Sequence, residues 1–231
     1  MSSVAIDSHL NRAIHFYQAS IGKKAVMAVT GVILFLYVIG HLLGNLQVYL
    51  GQEQMDRYAA FLHSMPGPLW AVRVILLVCV VAHIVASIQL TRLKQQARPA
   101  GYVKKEAIGS SYASRTMMWS GPIIAAFVIF HILDLTTGGA NTAQFQEFHA
   151  YENLVYSFRR IPVAIAYIFA IALLSMHLYH GLWSMFQSAG IHHPRYTPVI
   201  RRIAAWLAIL IAAGFISIPI SVLAGVVGAN L

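Results

Sequence analysis

Five stretches of this chain are apolar over a length that crosses a bilayer, at about 25–50, 69–92, 116–137, 162–188 and 203–228. Nothing else in the sequence restricts the fold as strongly. A crossing helix needs roughly 20 apolar residues, each rising about 1.5 Å. Inside hydrocarbon every backbone N–H and C=O must be bonded within the protein, which leaves helices and closed barrels. There is no period-2 alternation of the barrel kind and no internal repeat, so the runs are read as helices. Only 10% of the residues are charged, against about 25% in a soluble domain. The expected fold is an all-α integral membrane bundle of five transmembrane helices, a single membrane domain over 1–231.

Lysine and arginine set the expected orientation. Twelve fall on one side: Arg12, Lys23, Lys24, Arg92, Lys94, Arg98, Lys104, Lys105, Arg115, Arg195, Arg201 and Arg202. Four fall on the other: Arg57, Arg73, Arg159 and Arg160. Asp7 and Glu106 lie with the twelve, while Glu53, Asp56, Asp134, Glu147 and Glu152 lie with the four. The N-terminus (1–24), the 93–115 loop and the 189–202 loop are therefore expected in the cytoplasm and the C-terminus outside. This spread of charge also explains the net +9 without a nucleic-acid partner. The lone Cys79 excludes an internal disulfide, a covalently attached haem and an iron–sulfur cluster held by this chain alone. The first 20 residues lack a central apolar run, so no cleavable signal peptide is expected. Apolar residues at helical spacing predict short interfacial helices at 9–21, 53–63 and 144–158; ordered loop packed on the bundle is the alternative for the second.

Four of the five spans carry one histidine each at membrane depth: His41, His83, His131 and His177. Ionisable groups there are costly and usually functional. Counted from the inner ends of their spans, His41 and His131 lie roughly 24 and 22 Å up, and His83 and His177 roughly 14 and 16 Å. They sort into an outer and an inner pair. A lone membrane histidine is commonly a helix–helix contact, but four at matched depths call for another explanation. Imidazole is a good ligand for haem iron, and bundles build cofactor sites from facing side chains. Two non-covalent bis-histidine b-type haems are expected, with the fifth helix as cover. Zinc fits poorly, because no thiol or carboxylate joins either pair. His180 lies three residues after His177 and competes with it as inner ligand; it can instead meet a haem propionate or a quinone. Gly31, Gly40, Gly44 and the Ser120–Gly121 pair offer low-bulk faces for a flat ring, or ordinary close helix packing.

Several segments resemble a known family. IGKKAVMAVTGVILFLYVIGHLLGNL around His41, SYASRTMMWSG with IFHILDL around His131, and MHLYHGLWSMFQSAGI around His177 are similar to the cytochrome b membrane anchor of succinate dehydrogenase and fumarate reductase. The likeness is to the five-helix, two-haem, single-subunit type and runs from about residue 20 to 225, with HLLGN and GLWS its most specific parts. The resemblance implies that His41 and His131 are the axial ligands of the distal haem and His83 and His177 those of the proximal haem. It favours His177 over His180, whose place in the family is often not histidine. It also implies a bacterial cytoplasmic membrane, a flavoprotein and an iron–sulfur subunit docked on the cytoplasmic face, and electron exchange with a quinone, usually menaquinone. A higher oligomer of the complex is compatible with it. In that reading the chain is a subunit of succinate:quinone oxidoreductase and performs no flavin chemistry itself. Some two-haem relatives carry a glutamate two residues before the fourth-span ligand; Ser175 stands there, so a proton path of that kind is not expected.

Quinone chemistry needs protons, and Asp134, Tyr49, Glu53, Asp56 and His63 lie near the outer haem level as candidates. Arg115, Lys23 and Lys24 can pair with haem propionates, or serve as topological anchors and docking contacts. Two other functions fit parts of the pattern: the cytochrome b subunit of a membrane hydrogenase or formate dehydrogenase, and a small transporter without cofactor. The cytoplasmic charge argues against the former, and the absence of matched Gly/Pro-broken midplane helices against the latter.

Overall fold

The computed structural model describes residues 11, 15–97, 112–141 and 143–231, with the side chains of 112–115 excepted. Five long helices are apolar enough to cross a membrane. They are α1 (Ser20–Asn45), α3 (Pro66–Gln96), α4 (Tyr112–Leu135), α6 (Ile161–Ser188) and α7 (Thr197–Leu223), joined by short helices α2 (Gln52–His63) and α5 (Ala150–Arg159). No strand occurs among the described residues. The protein is an all-α, multi-pass membrane bundle.

Local chemistry sets the ends. Proline stands in the first turn of α3, α6 and α7, where its missing N–H costs nothing and its fixed φ suits the helix. A 3₁₀ turn, Leu46–Leu50, extends α1, and Gly51 at φ 95° turns the chain into α2. The fifth crossing starts six residues before the expected 203 and stops five before 228. Apolar character alone carries the run onward, but Gly225 and Gly228 take φ 71° and 82° and wind the tail into turns. The helix thereby takes in Arg201 and Arg202 at its start.

The long helices form two layers. α1 packs on α3, and α6 packs on both α4 and α7. Small buried residues bring α6 and α7 together: Ala164 and Ala170 on one, Ala204 and Ala208 on the other. In lipid, close backbone approach of this kind carries helix association. Ser175 adds an interhelical bond, donating to the Ala208 carbonyl at 3.0 Å.

The tightest packing lies at one end of the bundle, the capped end. Val48, Met55, Leu154, Val155, Phe158, Tyr167, Ile218 and Val222 form a buried cluster there. α5 is its centre. The expected helix over 144–158 is therefore shorter, beginning at Ala150 after a turn with Phe148 at φ 66°, and it is largely buried against the bundle end. Buried Asn153 braces the turn, accepting from the Gln146 N–H (2.9 Å) and donating to the Gln146 carbonyl (2.7 Å). Asp56 of α2 accepts the Tyr151 N–H (3.0 Å) in the first turn of α5, a favoured place for a carboxylate. Arg159 donates to the Gly228 carbonyl (2.8 Å), and the Gly228 N–H donates to Tyr151 (3.0 Å), so α5 also holds the C-terminal tail. Residues 52–63 form α2, as the sequence predicts. Of the 9–21 segment, residues 15–18 are helical and most of the rest lies outside the described residues.

This packing predicts unequal effects of equal truncations. Phe158 is 4% exposed at the capped end, and Phe169 is 58% exposed on the lipid face. Phe158→Ala is expected to cost about 3–5 kcal/mol, as core aromatic truncations do. Phe169→Ala changes little. Thermal unfolding of the two variants in detergent measures the difference.

Candidate functional site

The two layers leave a slot. Among the described residues, α1 and α4 are not closely packed neighbours, nor are α3 and α6. Histidine rings nevertheless meet across the gap at two places. His41 of α1 faces His131 of α4 with ring centres 5.7 Å apart and planes at 85°. His83 of α3 faces His177 of α6 at 6.2 Å and 54°. The first pair lies toward the capped end. The second lies deeper along the bundle, toward the open end.

These separations fit a planar metal group seated between each pair. Two imidazoles on opposite faces of one metal, each bonded at about 2 Å, hold their ring centres roughly 6 Å apart. The angle between their planes is free, because each ring can turn about its own bond to the metal. Among the described residues no three His, Cys, Asp or Glu side chains converge. Two facing imidazoles without a third ligand suit a group that brings its other donors with it, as haem does; both ring nitrogens of His41 also stand 3.3 Å from the Asn45 amide nitrogen.

The surroundings orient the rings. Thr30, next to Gly31 on α1, donates its hydroxyl to the Val26 carbonyl at 2.7 Å. Its oxygen stands 3.1 Å from His83 Nδ1. With the hydroxyl proton committed to the carbonyl, Nδ1–H is the donor and Nε2 keeps its lone pair for the slot. A bond of this kind fixes the tautomer and direction of a ligating histidine. His41 stacks on Tyr37 (5.4 Å) and leans on Phe215 (5.9 Å), while the Asn45 amide donates to the His41 carbonyl at 2.7 Å. His131 lies against Phe127 and Tyr167. The Nδ1 atoms of His131 and His177 are buried without a hydrogen bond. An unmet buried nitrogen costs roughly 1–3 kcal/mol.

The small residues of α1 and α4 differ in what surrounds them. A β-carbon on Gly31 would touch the His83 ring at 3.6 Å. Gly40 and Gly121 have nothing within 4 Å of theirs, while Gly44 is needed for Tyr58, which would stand 2.9 Å from an added carbon. Packing around α6 changes along its length. Ala164, Tyr167, Ala170 and Ile171 are buried, yet residues 173–182 are half-exposed all round the helix. A helix packed on one side would alternate; this stretch borders a gap.

Residues near the pairs divide into those with a place at the slot and those without. The ring facing His83 is His177; His180 instead sets its edge against Trp183 at 5.4 Å, with the Arg201 guanidinium 4.3 Å above the indole. His180 Nδ1 and Trp183 Nε1 are both buried and unpartnered. The residues considered for quinone contact do not gather at one point. Tyr49 is exposed and donates to Ser217 (2.7 Å); Glu53 is exposed and paired with Arg57; His63 is bonded to the Ala59 carbonyl (2.8 Å); Asp56 caps α5. Asp134 is fully buried and bonded to Arg160, Ser157 and Tyr167. The Arg115 side chain lies outside the described residues. Reading the sequence missed Thr30, Tyr167 and Arg160. Thr30 carried a signal: it precedes His41 by 11 residues, three helical turns, and so shares its face. The other two depend on contacts between α4, α5 and α6, which no local pattern announces.

No family model, curated protein or solved structure matches the chain.

The Thr30–His83 bond is open to direct measurement. Nitrogen-15 NMR of labelled histidine should find His83 protonated at Nδ1. In Thr30→Val that tautomer preference should be lost, while the signals of His41 stay in place.

Proposed function

We propose that the chain is a dihaem cytochrome b: His41 with His131, and His83 with His177, each hold one non-covalent b-type haem in the slot between the helix layers. The observation that carries this reading is the pair of facing imidazoles across a gap between helices that are not packed together. The layers also meet where α1 packs on α6 and α7 and where α2 packs on α5, so the two histidine contacts are not their only meeting points.

A b-type haem held by each histidine pair would supply reversible one-electron transfer. The chain's own groups do the rest. Thr30 aims His83. Tyr37 and Phe215 wall the ring of His41. The apolar helices exclude water, and burial of this kind tunes potential. The stack of two centres leads from one end of the bundle toward the other.

The wider reading follows the sequence. The open end, where Lys24, Arg92, Lys94, Arg195, Arg201 and Arg202 are exposed or partly exposed, is the cytoplasmic face under the excess-charge rule. The C-terminus is then outside, in a bacterial cytoplasmic membrane. That charged face suits the flavoprotein and iron–sulfur subunits of a succinate:quinone oxidoreductase. Electrons would pass between them and a membrane quinone, with menaquinone the type the sequence resemblance favours. A quinone reaching the capped end would meet exposed groups such as Tyr49, since Asp134 is sealed.

A reduced-minus-oxidised spectrum of the purified full chain tests the core of the proposal. Two b-type haems per chain are expected; a chain without a b-type band would sink it. His41→Ala and His83→Ala should each lose one haem, and a different one. His180→Ala should retain both. If His83→Ala kept two and His180→Ala lost one, the inner ligand would be His180.

A further inference from the structure

Asp134 is the one acid among the described residues that lies fully buried within a spanning helix. Such a group is expensive in a membrane and calls for a named partner. It has three. Arg160, at the junction of α5 and α6, pairs with Oδ1. Ser157 and Tyr167 both donate to Oδ2, Tyr167 at 3.1 Å. Arg160 also donates to the Ala140 carbonyl at 3.3 Å.

This network reaches the capped-end histidine pair by two routes. Along α4, Asp134 stands three residues after His131, so both side chains project from neighbouring positions one turn apart. Through space, Tyr167 connects them: its hydroxyl is held by Asp134 and its ring lies 5.8 Å from the His131 ring. Phe127 and Phe158 pack edge-on to the same tyrosine at 4.9 and 4.8 Å. Tied at its hydroxyl and walled on its faces, Tyr167 cannot turn, and His131 rests on it.

A plain staple between α4, α5 and α6 would not need charge. Apolar groups of similar volume commonly hold helices as well as a buried ion pair does. What this pair supplies and an apolar staple cannot is a fixed field at its neighbours: the carboxylate is fully buried, while the Arg160 side chain is 32% exposed and its charge partly screened.

We infer that Asp134, Arg160 and Tyr167 are positioning residues for the capped-end centre: Tyr167 sets the ring of His131, and the Asp134–Arg160 pair sets the electrostatic potential at that centre and not at the other. The inference rests on the haem reading above. Reduction from ferric to ferrous adds one electron and so one negative charge. Loss of the aspartate charge leaves Arg160 unbalanced and favours the reduced form. Loss of the arginine charge leaves Asp134 unbalanced and favours the oxidised form.

The test is an anaerobic redox titration of the full haem-loaded chain, following the b-type band as two components, with the capped-end component identified as the one lost in His41→Ala. Asp134→Asn should raise that component's potential and Arg160→Gln should lower it. Each shift should be roughly tenfold in the reduction equilibrium, which is about 59 mV for one electron. Arg160→Lys should restore the original value, and the other component should stay fixed throughout. Tyr167→Phe should leave charge unchanged but alter the low-spin EPR signal of the capped-end haem, which reports ligand-plane orientation. Shifts of the same sign in both charge variants, equal movement of both components, or no movement would overturn the inference. Should Asp134→Asn fail to load haem, the Arg160 variants decide alone: an unshifted capped-end potential in Arg160→Gln overturns it. A wild-type chain without haem would overturn the functional reading and this inference with it.

Discussion

The two helix layers are bound tightly at one end, and α1 also packs on α6 and α7, while α1 with α4 and α3 with α6 stay without close packing. α5 holds the bound end. It fills the capped end with Leu154, Val155 and Phe158, receives Asp56 from α2 and grips the C-terminal tail through Arg159 and Tyr151. Beyond that end, α1 is not packed on α4, nor α3 on α6. The imidazoles then meet across open width. Lipid gives no hydrophobic drive to collapse such a gap.

Element existence was legible in the sequence, because a bilayer admits few alternatives and long apolar runs declare themselves. Boundaries were less so. The end of α7 depended on Gly225 and Gly228 taking left-handed geometry inside a run whose hydropathy never falls. The character of α5 was hidden for a related reason. Its alternating apolar and polar residues read as a helix lying on a membrane surface, yet Asn153 and Ser157 are buried with their polar atoms bonded. Periodicity reports that one face is apolar and says nothing about what covers the other.

The histidine pairs could be read because depth follows arithmetically from helical rise, and depth decides which rings can meet. What arranges those rings could not. Thr30 sits on the same face as His41 but serves His83 on another helix. Asp134 looked available for quinone protonation because it stands near the outer level. The three groups that enclose it come from positions 157, 160 and 167, on α5, the junction and α6, a convergence that only packing creates.

The same convergence makes the two ends of the slot unequal. The pair nearer the capped end, His41 and His131, is walled by aromatic rings of α1, α4, α6 and α7 and stands one turn from the buried carboxylate of Asp134, paired with the part-exposed Arg160. The His83–His177 pair has a neutral hydroxyl on one side and, on α6, a helix stretch half-exposed all round. A rigid, charged surround holds a centre to one geometry and one potential, since interior dipoles and charges cannot relax around it. A looser, neutral surround responds to whatever docks against it. On the proposed dihaem reading, the two centres would therefore differ in how far their surroundings hold them, the capped-end centre being the more tightly held.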